Sequence, residues 1–288
     1  MVFRSAWSTS RGSNDKMTAE ITINSYWGPR PEQPAEIGHR CSRLLNRLAM
    51  ISPSFTDWSF VSRVPVPTSR NYDGPRGVAD FLREQYQTIA LDNLSADGLA
   101  ELIKAGVCRD DNDAPVPASG YFFGAFTGSG RDTPCISLNV HAGNIYRGNY
   151  YLNSAQIETP PLDTGNRLTD ALPTLTATML ALARSWDATW AAVCPKDLMA
   201  LWPSPSDKKQ PSFNMAWVTY LSQRFAPVVT PPRSAIVEYT REGGLVMTAT
   251  RDRFDVTNPA HLAAAREIEA AMAPVNALPW PPDAIPER

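Results

Sequence analysis

Histidine is scarce in this sequence: His39, His141 and His261 are the only three in 288 residues. No two of them have the spacing that sets a pair of imidazoles on one face of a helix, so the pattern of a zinc enzyme is missing. Cysteine is sparse too. Cys41, Cys108, Cys135 and Cys194 lie far apart and no C-x-x-C occurs, so each reads as a free, buried thiol of a reducing compartment. Charge of one sign is not in excess. The 27 Lys+Arg and 29 Asp+Glu leave a formal −2, which offers no general field for recruiting nucleic acid or anionic lipid. No run of about 18 apolar residues escapes interruption by a charge, which excludes a spanning helix and leaves no expected contact with a membrane. Met1 to Lys16 lacks the apolar stretch of a secretory signal and reads as disordered, with folding expected to begin near Met17. The expected address is the cytosol.

Recognisable catalytic patterns are missing as well. No G-x-S-x-G elbow is present to give His141 a nucleophile. The glycines of Thr127-Gly128-Ser129-Gly130-Arg131 could cradle a phosphate, but a strand follows them where a P-loop continues into Lys-Ser/Thr and a helix. They read as a hairpin turn. Arg109-Asp110-Asp111-Asn112-Asp113 is acidic enough for calcium but lacks the glycine and closing glutamate of an EF-hand loop. It reads as a solvated loop or as an acidic patch for a basic partner. No catalytic residue, metal or cofactor is expected, and the chain is expected to act by binding.

What the sequence does carry is a long alternation of element signals. Ile21 to Trp27 reads as a strand stopped by Gly28-Pro29. Pro31 to Met50 reads as an amphipathic helix with Ile37, Cys41, Leu44, Leu45 and Leu48 on one face and Arg40, Arg43 and Arg47 on the other. Phe60-Val61 is a short apolar run. Helices are predicted over Gly77 to Ile89 and over Leu94 to Val107, the latter capped by Ser95. Gly120 to Thr127, Pro134 to His141 and Asn149 to Glu158 predict an antiparallel meander, with Ala142-Gly143-Asn144 as one of its turns. A helix over Thr169 to Ala183, a strand over Ala188 to Cys194, and an apolar element over Met215 to Leu221 follow. Ser234 to Tyr239 and Leu245 to Thr250 form a hairpin through Glu242-Gly243-Gly244, and Pro259 to Ala273 a last helix capped by Asn258. The fold class expected is α+β, a single domain of mixed or antiparallel sheet with amphipathic helices packed on it. Its organisation is a disordered extension over 1–17, the domain over 18–274 and a proline-rich irregular tail over 275–288. Trp27, Trp58, Trp186, Trp190 and Trp217 each stand beside a predicted strand or helix end, where an indole locks elements together.

An ordered set of these residues resembles the bacterial immunity protein 52 family. Tyr26-Trp27-Gly28-Pro29-Arg30 before a leucine-rich helix, then Pro53-x-Phe55-x-x-Trp58, is similar to the opening of that family. Ala183-Arg184-Ser185-Trp186-Asp187, Trp217-Val218-Thr219-Tyr220-Leu221 and Arg253-Phe254-Asp255-Val256-Thr257-Asn258-Pro259 resemble its later landmarks, in order. The extension before Met17 and the segment Pro195 to Pro211 depart from the family pattern. The resemblance implies a non-enzymatic antidote that binds and neutralises a cognate nuclease toxin with a restriction-endonuclease-like domain, in a polymorphic or type VI secretion system. It implies no direct contact with nucleic acid. An adaptor or chaperone for effector secretion is the alternative, and a small-molecule hydrolase a more distant one. Candidate partner-binding residues are Asp110, Asp111 and Asp113, with Trp27 and Arg30 as the alternative. Tyr26, Gly28, Trp58, Trp186, Trp217, Tyr220 and Phe254 are landmarks expected to serve the fold.

Overall fold

The computed structural model describes residues 20–63, 86–92, 94–128, 135–146, 153–160, 172–202 and 213–278. The expected extension over 1–17 and most of the tail lie outside these residues. So do much of the segment Pro195 to Pro211, the turn residues Ser129 and Gly130, and most of the helix expected over Gly77 to Ile89.

Ten strands form one sheet in which every pairing is antiparallel. They are β1 (Ile21–Trp27), β2 (Trp58–Arg63), β3 (Tyr86–Ala90), β4 (Ser119–Thr127), β5 (Ser137–Asn144), β6 (Asn153–Glu158), β7 (Trp190–Pro195), β8 (Val218–Leu221), β9 (Ile236–Tyr239) and β10 (Leu245–Thr248). Their spatial order is β3-β2-β4-β5-β6-β1-β7-β8-β10-β9. The helices are α1 (Pro34–Ile51), α2 (Ala96–Ala105), α3 (Leu172–Trp186), α4 (Lys196–Met199), α5 (Pro259–Ala271) and α6 (Ala273–Asn276). The fold is α+β, as the alternation of element signals predicts.

Sequence chemistry accounts for the helix ends. Pro34 opens α1, where its missing N–H removes a donor that would have no helical partner, and Glu36 Oε2 accepts from Gln33 N at 2.8 Å. Ser95 caps α2 by accepting from Gly98 N at 3.1 Å, and Asn258 caps α5 by accepting from Ala260 N at 3.0 Å. One apolar cluster runs from Ile21 and Ile23 through Ile37, Leu44 and Leu48 of α1 to Leu182 and Trp186 of α3. Each such side chain contributes roughly 1.5–3 kcal/mol by leaving water.

Three expectations are corrected. Residues 86–90, expected at the end of a helix, pair with β2 as Phe60↔Ile89 and Val61↔Thr88. The helical spacing of Val78, Phe81, Leu82 and Ile89 was outweighed there by a strand edge that needed a partner. Ala142-Gly143-Asn144, expected as a turn, continues β5. Gly143 has φ +85, and a Cβ on it would stand 2.9 Å from Glu32 O, so this glycine serves a close approach of two backbones. Ala273–Asn276 forms a short helix where an irregular tail was expected, and its Val275 is buried. Gly243, with φ +83, does form the predicted hairpin turn between β9 and β10.

The two faces of the sheet are dressed differently. Ile21, Ile23, Ser25 and Trp27 of β1 point to the layer of α1, α2 and α3, and Trp27 lies flat on Trp186, 4.9 Å between centroids and 6° between planes. Thr22, Asn24 and Tyr26 point to the second face. There Tyr26 stacks on Trp190 at 4.4 Å, Phe213 meets Trp190 edge-on at 4.9 Å, and Phe213 N donates to Asn276 Oδ1 at 2.8 Å. Ala192, Cys194 and Ala216 make a small second core beside Trp190, Met199 and Trp202, with Trp202 Nε1 donating to Met215 O at 3.0 Å. Leu221 and Leu245, which continue the Trp190 row across β8 and β10, are fully buried. On β4 and β5 the same face carries Phe122, Gly124 and Asn139, all exposed.

Candidate functional site

Four stretches of chain converge at one end of the sheet, where β1 and β5 finish and β4 begins. Asn144, last residue of β5, joins them. Its carbonyl accepts from Arg30 N at 3.1 Å and from Asn153 Nδ2 at 3.1 Å, and its N–H donates to Asn153 Oδ1 at 2.9 Å. Asn153 Nδ2 also donates to Gly28 O at 2.8 Å, which fixes the Trp27-Gly28-Pro29-Arg30 turn to the start of β6. Asn144 Oδ1 accepts from Tyr146 N, and Ile145 N donates to Ala118 O, both at 3.0 Å. Neither asparagine stood out in the sequence. Both are buried, and the amide of Asn153 meets backbone groups at Gly28 and Asn144.

Behind this junction stands an ion network. Arg30 Nη2 donates to Trp186 O at 2.9 Å and Arg40 Nη1 to Ser185 O at 2.8 Å, so two cations cover the carbonyl end of α3. Arg47 Nη1 adds a bond of 3.1 Å to Ser185 Oγ. Arg40 and Arg47, read from spacing as a solvent face, therefore clamp a second helix. Glu32, only 5% exposed, stands 3.0 Å from both Arg30 and Arg40, and Asp187 lies 2.9 Å from Arg40 at the outer edge. Asp187 takes φ +47 and Ala188 N returns to Ala183 O at 2.8 Å, which ends α3. Arg30 also lies over the Trp27 ring, 5.6 Å from its centroid. The landmarks Trp27, Gly28, Arg30, Trp186 and Asp187 thus meet in one lock. Trp27 is 3% exposed, so its ring has little surface to offer a partner.

The acidic segment lies at the same end, carried out from β4 by two isolated bridges, Val107↔Tyr121 and Arg109↔Pro115. It is a closed turn. Asp110 N donates to Ala114 O and Asp113 N to Asp110 O, both at 3.0 Å, and Asp110 Oδ1 accepts from Asn112 N and Ala114 N at 2.9 Å. Arg109 Nη1 donates to Asp113 O at 2.7 Å and lies 3.7 Å from the Asp113 carboxylate. Asp111 is exposed and makes no ion pair among the described residues. The three carboxylates are therefore unequal: one shapes the turn, one shares a cation, one faces water.

On β4, Phe122 is 52% exposed and lies flat on His141, 4.2 Å between centroids and 12° between planes. His141 sits inside β5, 6% exposed, rather than at the strand's end as the sequence suggested. Its Nε2 is 2.8 Å from Ser119 O, and because a carbonyl can only accept, Nε2 carries the proton. Cys108 Sγ, 3.7 Å from that nitrogen, donates to the same carbonyl at 3.2 Å, and burial pushes its thiol up to about 11. A protonated Nε2 and a neutral thiol do not make a base and its nucleophile. Among the described residues no group of three or more His, Cys, Asp or Glu is disposed to hold a metal ion, and no helix is long and apolar enough to cross a membrane. Of the four cysteines, all free, Cys41 and Cys194 are buried as expected, whereas Cys135 is exposed and Cys108 half-buried.

The remaining landmarks serve packing. Trp58 Nε1 donates to Phe55 O at 2.9 Å, and Trp217 Nε1 to Thr250 O at 2.9 Å with Phe254 6.4 Å away. Tyr26 takes part in the Trp190 stack, and burial raises the hydroxyl of Tyr220 above its ordinary range.

The family profile described as Immunity protein 52 matches residues 78–278, more than half of the chain. The chain belongs to the immunity protein 52 family. The matched span holds the Ser185-Trp186-Asp187, Trp217 and Phe254 landmarks of this family member, while its Trp27 to Arg30 turn and Trp58 lie before it. Among solved structures, the Pseudomonas aeruginosa T6SS protein PA0821 is similar with a TM-score of 0.49 and 12% identity, covering 87% of this chain and 74% of that chain. No curated protein matches.

Proposed function

We propose that this chain is an immunity protein that neutralises a cognate secreted nuclease by binding it in the cytosol of the producing cell. Family membership carries the reading, and the toxin partner follows from what an immunity protein does. The finer identification, a restriction-endonuclease-like toxin, draws support from the acidic turn. A nuclease binds the DNA backbone through Lys and Arg, so an inhibitor that presents carboxylates on a prefolded turn meets a surface already built for negative charge. Asp110, Asp111 and Asp113 form that contact, with the Trp27 and Arg30 lock holding the sheet end in position behind it. The protein acts by stoichiometric occlusion and not by catalysis, and the state of His141 and Cys108 fits that role.

Co-expression with the toxin encoded beside this chain tests the reading. The chain restores growth when the toxin's nuclease is active and makes no difference to secretion of a catalytically dead toxin. A chain needed to secrete the dead toxin, but unable to restore growth, is an adaptor.

A further inference from the structure

Phe122 stands in the middle of a strand, yet half of its ring faces water. We infer that this ring, on the uncovered part of the sheet's second face, is the anchor of the toxin interface, and that the acidic turn at the same end of the sheet steers a basic toxin surface onto it. This deepens the proposed function and rests on it.

Three observations carry the inference. The ring is already held: it lies on His141, which Ser119 O holds at 2.8 Å, and the backbone N–H of Phe122 donates to Gly106 O at 2.8 Å, which fixes the strand that carries it. An aromatic side chain held in one orientation before binding loses little freedom on binding, which is what separates an anchor from an incidental contact. The surface beside it is flat, because the next residue on that face is Gly124. A Cβ there would meet only Asn139 Oδ1 at 3.4 Å and Leu138 O at 4.0 Å. The rim is charged, since Asp111 has no cation of its own, while Ile145 and Tyr146 are exposed at the same end of the sheet.

These features fit one occupant, a toxin surface rich in Lys or Arg. Aliphatic stems can lie across the ring and the glycine, a guanidinium can stack on the ring, and the heads reach carboxylates at the rim. A second copy of this chain brings the same acidic turn to the same place, where like charges oppose each other.

Binding of the full-length chain to the purified, catalytically dead toxin encoded beside it is measured by biolayer interferometry, with thermal unfolding as a control. Phe122→Ala weakens binding at least 30-fold, mainly through faster dissociation, with an unchanged melting temperature. Phe122→Tyr stays within about threefold of the parent. A Phe122→Ala chain that binds within threefold of the parent overturns the anchor while leaving the immunity reading intact. A parent chain that does not bind this toxin overturns both. A parent chain that sediments as a dimer, with Phe122→Ala monomeric, assigns the ring to a self-interface and also overturns the anchor.

Discussion

On the second face of the sheet, β1, β7, β8 and β10 lie under a layer of chain, whereas β4 and β5 carry the exposed residues Phe122, Gly124 and Asn139. Each part presents a large aromatic ring: Trp190 at the start of β7 and Phe122 in the middle of β4. Trp190, half-buried in the covered part, stacks on Tyr26 and meets Phe213 edge-on, and Phe213 is tied to Asn276 of α6 next to it. Phe122, in the other part, has His141 as its one ring partner among the described residues and is 52% exposed. A ring of the same kind thus serves packing where chain returns to cover it, and stays accessible to solvent where none does.

Truncating the two rings is the sharpest way to break this contrast. Trp190→Ala removes a half-buried indole packed against two rings and costs about 3 kcal/mol in urea unfolding, the low end for an indole. Phe122→Ala, at an exposed position, costs under about 1 kcal/mol. Equal losses would show that Phe122 belongs to the core and that the two parts of the face do not differ in kind.

The lock behind the sheet end gives the next largest effect. Arg30→Ala leaves buried Glu32 with Arg40 as its remaining cation and uncovers the Trp186 carbonyl. A loss of about 2–3 kcal/mol follows, because an undercompensated buried charge costs more than the pair contributes. Adding Glu32→Gln recovers part of it. A double variant less stable than Arg30→Ala alone would mean that Glu32 acts through Arg40 and not through the pair.

Which of these features the sequence reveals depends on the range of the interactions behind them. The strand alternation, the caps at Ser95 and Asn258 and the Gly243 turn are local, and spacing reveals them. The lock is not local: Arg30 and Trp186 are brought together across 156 positions of chain. Helical spacing put Arg40 and Arg47 on the face away from the core without saying that α3 stands beside that face. The covered and uncovered parts of the second face were illegible for a related reason. β4 reads Tyr121-Phe122-Phe123-Gly124-Ala125-Phe126, apolar on both faces, so alternation alone cannot say which face another layer will cover. At Asp110 to Asp113 composition showed three equivalent acids, and only the turn geometry separates them.

That separation supplies the smallest and most selective test. Asp110 Oδ1 holds two backbone N–H groups, so Asp110→Ala loosens the turn and costs about 1 kcal/mol of stability. Asp111 holds nothing, so Asp111→Ala leaves stability within about 0.5 kcal/mol. Their effects on the toxin should run the other way in kind. An exposed rim charge acts on encounter, so Asp111→Ala slows association a few-fold at low salt, and the gap closes as salt screens it. Loosening the turn disperses all three carboxylates and gives Asp110→Ala a defect that persists at high salt. If Asp111→Ala instead changes only dissociation, and does so at every salt concentration, the carboxylate is buried in the complex. The acidic turn is then part of the anchor and not the means of steering toward it.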